Sequence, residues 1–270
     1  AIVLCELGFD GIDINMGCPS KNVASGGSGA GLIKTPKLAQ EIVRVTKQGV
    51  QDWRNGATVY NCPDIKPRVA EQILASRRQL PPAYQERRPV PVSVKTRVGY
   101  ETPIIATWLP YLLEVEPVAV CIHGRTLAQA YSGEASWEEI GKAVGIAQGS
   151  GILLLGNGDI LSLAQAEQRV RDYGVDGVLI GRATYGNPFF FGEEKPLAEG
   201  TLPDPARVHH FAEIMREHAY LYEQTYGHYE NYFFAPMRKH FGWYARQMHG
   251  GKKLRVPLMQ SSGPQEVTRI

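Results

Sequence analysis

Four cysteines in 270 residues, at positions 5, 18, 62 and 121, are too few and too far apart for a disulfide framework, and no CxxC pair is present for a zinc ribbon. A reducing, cytoplasmic setting without a structural metal is the expectation. No apolar run approaches the roughly 20 residues that span a bilayer, and no signal peptide is visible, so no membrane role is expected. The formal charge is only +2, too small for global charge to announce a nucleic-acid partner. Internal repeats and low-complexity tracts are missing too, which leaves out solenoids and tethers. The first residue is Ala1 rather than Met, and Ala1 to Leu7 is already a helical pattern, closed by Gly8. A helix with neither cap nor lead-in reads as a cut, so the chain is expected to be an amino-terminally truncated piece.

What is present is an ordinary globular composition, 43% hydrophobic and 21% charged, of a length that suits one large α/β domain with a small appendage. Short apolar runs alternate with helical patterns. Strands are expected at Gly11 to Ile14, Pro91 to Arg97, Val118 to Thr126, Gly151 to Asp159 and Gly177 to Ala183. Helices are expected after Thr35-Pro36, with Thr as N-cap and Leu38, Ile42, Val43 and Val45 at helical spacing, and then at Thr107 to Glu114, Trp137 to Ala147 and Leu161 to Tyr173. Continuous apolar strands between helices fit a parallel sheet buried on both faces.

Residues 46–90 break the rhythm with Asn-Gly, Cys-Pro and Pro-Pro pairs and one short helix, Ala70 to Arg78; they read as a surface insertion within a first domain of residues 1–200. Residues 201–270 differ: helical, rich in His and aromatics, with nine Lys/Arg against six Asp/Glu. Within Pro236 to Arg255 there are six basic residues and no acidic one, interleaved with Phe241, Trp243 and Tyr244. That composition predicts a separate helical domain.

Each expected strand ends in polar groups: Asn15 and Cys18, Lys95 and Arg97, His123 and Arg125, Asn157 and Asp159, Gly181 and Arg182. In a barrel such ends converge on one mouth, where ligands bind. Gly156 to Asp159 and Gly181-Arg182, on the last two strands, suit a phosphate: glycine lets the backbone approach, and a guanidinium fork matches the oxyanions. Lys95 and His123 suit the electron-rich edge of a reduced flavin. A thiol between Gly17 and Pro19 on a strand-end turn is hard to bury, and suits a general acid: hydride goes to one carbon of an activated double bond and Cys18 protonates the other.

Several segments together resemble the tRNA-dihydrouridine synthases. They are Asn15-Met-Gly-Cys-Pro-Ser-Lys21 with Gly29-Ala30, Val94 to Arg97, Ile122 to Thr126, Gly156 to Asp159, Gly181-Arg182 with Gly186 to Pro188, and Met237 to Tyr244. The resemblance runs in order from the first strand into the tail. It implies an α/β fold, a partial TIM (β/α)8 barrel of about the last five strand–helix units, followed by a small all-helical carboxy-terminal domain that docks tRNA. It implies reduction of the uridine C5–C6 double bond with FMN and NADPH (or NADH), Cys18 being the acid. Lys95, His123, Asn157, Gly158, Asp159, Gly181 and Arg182 match flavin-binding positions. Asn15, Arg97 and Arg125 match polar residues near the uracil. A monomer is expected.

The family's barrel starts about three units earlier, so some 90 residues are expected to be missing (about 250 for eight units). Such a piece made alone is expected to bind flavin poorly and be inactive. Two other readings stay open: a dihydroorotate-dehydrogenase-like flavin enzyme, whose Asn-x-x-Cys-Pro motif is similar, and a non-catalytic RNA-binding protein on the same fold. The basic tail speaks against the first, and the joint presence of Cys18, Lys95 and His123 against the second.

Overall fold

The computed structural model describes residues 1–192, 205–248 and 250–270. In chain order the first part runs α1 (Ile2–Glu6), β1 (Ile12–Met16), α2 (Lys21–Ser25), a 3-10 turn (Gly29–Lys34), α3 (Pro36–Arg54), α4 (Pro67–Arg78), α5 (Pro82–Gln85), β2 (Val92–Gly99), α6 (Ile105–Leu113), β3 (Ala119–Thr126), α7 (Trp137–Ala147), β4 (Leu153–Asn157), α8 (Leu163–Tyr173) and β5 (Gly177–Leu179). The second part adds α9 (Pro205–Tyr226), α10 (Ala235–Gln247), α11 (Gly251–Gln260) and α12 (Pro264–Arg269).

The five strands form one parallel sheet in the order β1-β2-β3-β4-β5, so every neighbour in space is a neighbour in sequence. That order, with crossovers mostly through helices, is a run of TIM-barrel units. Five such strands make the described part of the barrel. Residues that pair across strands share a face, and one face carries Ile12, Met16, Val92, Val94, Val98, Val120 and Ile122 into the core. Only β3 is buried along its whole length; β1 and β4 alternate. The expectation of burial on both faces therefore fails for β1, an edge of the described sheet, where Asp13 and Asn15 are exposed.

Two expectations about α3 change. Thr35 stands at its N-cap but its hydroxyl makes no capping bond. The buried stripe is Ala39, Val43, Val50 and Trp53, while Leu38 and Val45 are 50% and 55% exposed. At about 100° per residue, positions 38 and 45 lie about a quarter-turn or more off that stripe. The helix also continues to Arg54, so residues 46–54 of the expected insertion are its last turns. In its last turn Trp53 is fully buried beneath the guanidinium groups of Arg77 and Arg87, and Arg77 reaches the buried Glu6 at 3.1 Å. These contacts fasten the segment to α1 and α3. β5 ends at Leu179, and residues 182–184 are a 3-10 turn rather than strand.

The chain divides into two compact units, residues 1–159 with 165–179, and residues 160–164 with 180–270. The boundary expected at 200/201 lies outside the described residues. Within the second unit, Phe211, Met215 and Ala219 of α9 pack with Phe234, Met237, Phe241 and Tyr244, and with Leu258 and Val267 from α11 and α12. The aromatics that sequence interleaves with the basic residues are thus largely core: Phe241 is 0% and Tyr244 7% exposed. Arg238 is tied to the end of α11, donating to the carbonyl of Ser261 at 3.1 Å. Lys239, Arg246, Lys252, Lys253 and Arg255 are left exposed. No described helix is long and apolar enough to cross a membrane.

Candidate active site

Cys18 follows β1 on a loop held from several sides. Asn15 Oδ1 accepts the Gly17 N–H at 3.0 Å, closing the turn, and the Cys18 carbonyl accepts the Ala30 N–H at 3.2 Å. The glycine run behind it has a steric reason. Gly29 has φ +54°, and a Cβ there would lie 2.9 Å from the Cys18 Cβ, so a side chain would push the thiol's backbone away. Cys18 is half-buried. Cys121 is the contrast: it sits on β3 beside Lys95, and burial pushes its thiol up to about 12. It is an inert core thiol.

Arg97, His123 and Asn157 occupy one register row across β2, β3 and β4, one step above the row of Asn15, Lys95 and Cys121. All therefore face the same side of the sheet at its carboxyl edge. Lys95 Nζ reaches over β3 to Asn157 Oδ1 at 3.1 Å, and Asn157 Nδ2 donates to the Leu179 carbonyl at 2.9 Å. His123 has no hydrogen-bond partner among the described residues. Burial, then the positive charges of Arg97, Lys95 and Arg125, lower its pKa to about 3, with Asp159 opposing. The imidazole is neutral at any ordinary pH and keeps both nitrogens for a ligand.

Arg125 is locked in place. Its Nη1 and Nη2 donate to both carboxylate oxygens of Asp159 at 2.9 and 2.7 Å, and it also donates to the carbonyls of Ser132 and Gly133. Asp159 Oδ2 accepts the Ala135 N–H at 2.8 Å as well. These bonds hold a strained turn: Asp159 has φ +51° and Gly158 φ +137°. A Cβ on Gly158 would meet the Ala135 Cβ at 2.4 Å and His123 at 3.3 Å. The Trp137 indole N–H donates to the Gly158 carbonyl at 3.0 Å. The turn thus brings the Gly158 backbone beside the imidazole, and the glycine is required by packing whatever else it does.

Arg97 is 3% exposed and its bonds go to backbone carbonyls, that of Gly17 among them. Burial lowers its pKa below the usual guanidinium range, reinforced by Arg125 and opposed by Tyr131 and Cys18. Gly181 and Arg182 follow β5 but belong to the second unit, where both are exposed and Arg182 begins the 3-10 turn. The sheet therefore gathers Asn15, Lys95, Arg97, His123, Arg125, Asn157, Gly158 and Asp159. Sequence reading missed Trp137, Ala135 and Gln129, which shape the turns. The available signal was Trp137 at a helix start directly after Ser136, whose hydroxyl caps that helix. Among the described residues no group of three or more His, Cys, Asp or Glu could hold a metal ion.

A family model described as dihydrouridine synthase matches residues 1–55 and 67–269, leaving out only 56–66 and the last residue. The chain is 30% identical over 273 residues to the probable tRNA-dihydrouridine synthase 2 of Bacillus subtilis (strain 168), and 32% identical to the probable tRNA-dihydrouridine synthase of Staphylococcus aureus (strain MRSA252). The corresponding protein of Staphylococcus epidermidis (strain ATCC 12228) is 30% identical. Each alignment covers 100% of this chain and 69% of the relative. Of the segment expected as an insertion, residues 56–66 alone fall outside the match.

Proposed function

Since this chain belongs to the dihydrouridine synthase family and is an oxidoreductase acting on uridine in tRNA, we propose that Cys18 is its general acid and that the carboxyl edge of the sheet holds FMN. What supports the cofactor is the donor set: a cation at Lys95, fixed on Asn157, beside a neutral imidazole with unused nitrogens. A ligand with an electron-rich, hydrogen-bonding heterocycle satisfies both. Gly158 offers it backbone, and the Arg125–Asp159 pair holds that backbone in place. Gly181 and Arg182, exposed in the second unit, are of the residue types that suit a phosphate.

Reduced FMN, when bound there and recharged by NADPH or NADH, supplies the hydride for uracil C6. Cys18 delivers the proton to C5, as a half-buried thiol on a rigid loop can do without the disorder of a free side chain. Asn15 uses its Oδ1 on the Gly17 N–H, which leaves its amide N–H groups for the uracil. Arg125, gripped by Asp159, borders the uracil side, and Arg97 closes the wall behind it. The target uridine leaves its stack to reach this edge. Exposed Lys239, Arg246, Lys252, Lys253 and Arg255 carry the phosphate contacts with tRNA.

The reading rests above all on the Lys95–Asn157 bond next to the neutral, unpartnered His123, on the same edge as the Cys18 loop. Cys18→Ala is expected to lower dihydrouridine formation by about 10² to 10⁴-fold, the usual worth of a general acid, with flavin retention unchanged. Nucleoside analysis of the tRNA product measures it. An unchanged rate would remove the thiol from the chemistry.

A further inference from the structure

Arg97 is a buried guanidinium with no carboxylate bonded to it among the described residues; backbone carbonyls receive its protons. Nε donates to the Gly17 carbonyl at 2.8 Å, and Nη1 donates to the carbonyls of Thr126 at 3.0 Å and Ala130 at 3.3 Å. The Gly17 carbonyl belongs to the peptide bond that leads into Cys18. The other two lie at the end of β3 and within the loop that leads from it to α7. That loop is closed on itself by Gln129, whose Oε1 accepts the Thr126 N–H at 2.8 Å and whose own N–H donates to Thr126 Oγ1 at 3.2 Å. One planar fork thus spans from the loop after β1 to the loop after β3. A lysine, a point donor on a flexible stem, cannot hold both ends in a fixed plane.

We propose that Arg97 is a positioning residue that fixes the Cys18 loop against the β3–α7 loop, so that the aim of the thiol depends on a bridge across the sheet. The proposal rests on the reading of Cys18 as the acid. The Ala30 N–H and Gly29 hold the thiol's other side, so the bridge sets the one peptide plane they leave open. Removing it lets Cys18 turn without unfolding the strands, whose ladder does not involve the Arg97 side chain.

The four thiols make the test internal. Iodoacetamide labelling followed by peptide mass mapping reads each one: Cys62 is half-buried in the segment outside the family match, and Cys5 and Cys121 are buried reporters of global unfolding. In Arg97→Lys, Cys18 labelling relative to Cys62 is expected to rise about tenfold, the worth of one charge-assisted hydrogen bond, with Cys5 and Cys121 still protected. kcat is expected to fall about 10²-fold, as for a displaced catalytic group, with KM for tRNA within about twofold. A ratio that stays or falls, or a KM that rises while kcat holds, overturns the proposal and makes Arg97 a substrate contact or a filler. Should Cys5 and Cys121 become labelled, the variant has unfolded and Gln129→Ala carries the test. By loosening only the far anchor it is expected to raise the Cys18 ratio about threefold, about the worth of one neutral hydrogen bond; an unchanged ratio there also overturns the proposal. If Cys18→Ala leaves catalysis intact, the acid reading fails, while the labelling still reports on the bridge.

Discussion

The two ends of the same five strands are built on opposite plans. At the carboxyl ends, cations and their partners are drawn inward: Arg97 and Arg125 are 3% and 2% exposed, and His123 is held neutral between them. At the amino ends the polar groups lie outward, around two shallow cavities of about 180 and 480 Å³. The smaller is lined by Val50, Val90 and Val92 with Lys47 and Arg54, and the larger by Gly149, Gly151 and apolar residues of α7 and β4. Two open hollows thus lie at one end, and a field of buried charge at the other. Burying charge is costly unless it is paired or serves a ligand, so the chemistry is to be sought where that cost is borne.

The sharpest way to break this contrast is at Asp159. Asp159→Ala leaves Arg125 buried without its carboxylate, frees the Ala135 N–H, and removes what holds a residue at φ +51°. The expected loss of stability is about 3 kcal/mol, the low end for breaking a buried pair because the Asp159 side chain is 29% exposed. Denaturant unfolding followed by tryptophan fluorescence measures it, since Trp53, Trp108 and Trp137 all lie in the sheet unit. A loss under about 1 kcal/mol would mean that the pair is an ordinary surface bridge.

His123 gives the next largest effect, and only in acid. Unfolded, its imidazole titrates near 6.5; folded, at about 3. Between those values the unfolded chain binds a proton that the native one refuses. Stability is therefore lost as pH falls below 6.5 toward 3, by about 2 kcal/mol at pH 5 from this group alone. His123→Asn removes the titration, and its stability is expected to drop about 2 kcal/mol less than the wild type's between pH 7.5 and 5. Equal drops would show that the imidazole is not held neutral by its surroundings.

These two residues also show how far the sequence could be read. Polar strand ends were visible as a pattern, because a strand that runs apolar and stops in His, Lys or Arg marks its own carboxyl edge. Their placement in one sheet followed from the alternation of strand and helix. The pairing of Arg125 with Asp159 was not visible, since it joins positions 34 apart through a turn whose geometry depends on Ala135 and Trp137. The burial of Phe241 and Tyr244 was hidden for a related reason: they stand between basic residues, yet their spacing of four and seven from Met237 puts all three on one helix face, which packs into the core. The face of α3 was misjudged because Leu38 and Val45 outweigh Ala39 by hydrophobicity, although Ala39 is on the side that the helix buries.

The smallest effect is a control on the amino ends. Arg54 is a cation beside the smaller cavity, close in sequence to the buried Trp53, and by residue type alone it would qualify for a site. It is exposed, and its Nη1 donates to Gln51 Oε1 three residues back on the same helix at 3.1 Å, which is what a solvated side chain does. Arg54→Ala removes a weak helical pair and a charge already in water, so stability is expected to change by no more than about 0.5 kcal/mol and dihydrouridine formation by less than about twofold. Steady-state rates on tRNA, measured beside the Arg97→Lys protein, set a cation at one end of the sheet against a cation at the other. A large catalytic loss from Arg54→Ala, with folding intact, would show that the amino ends also serve the reaction, and the division between the two ends would have to be given up.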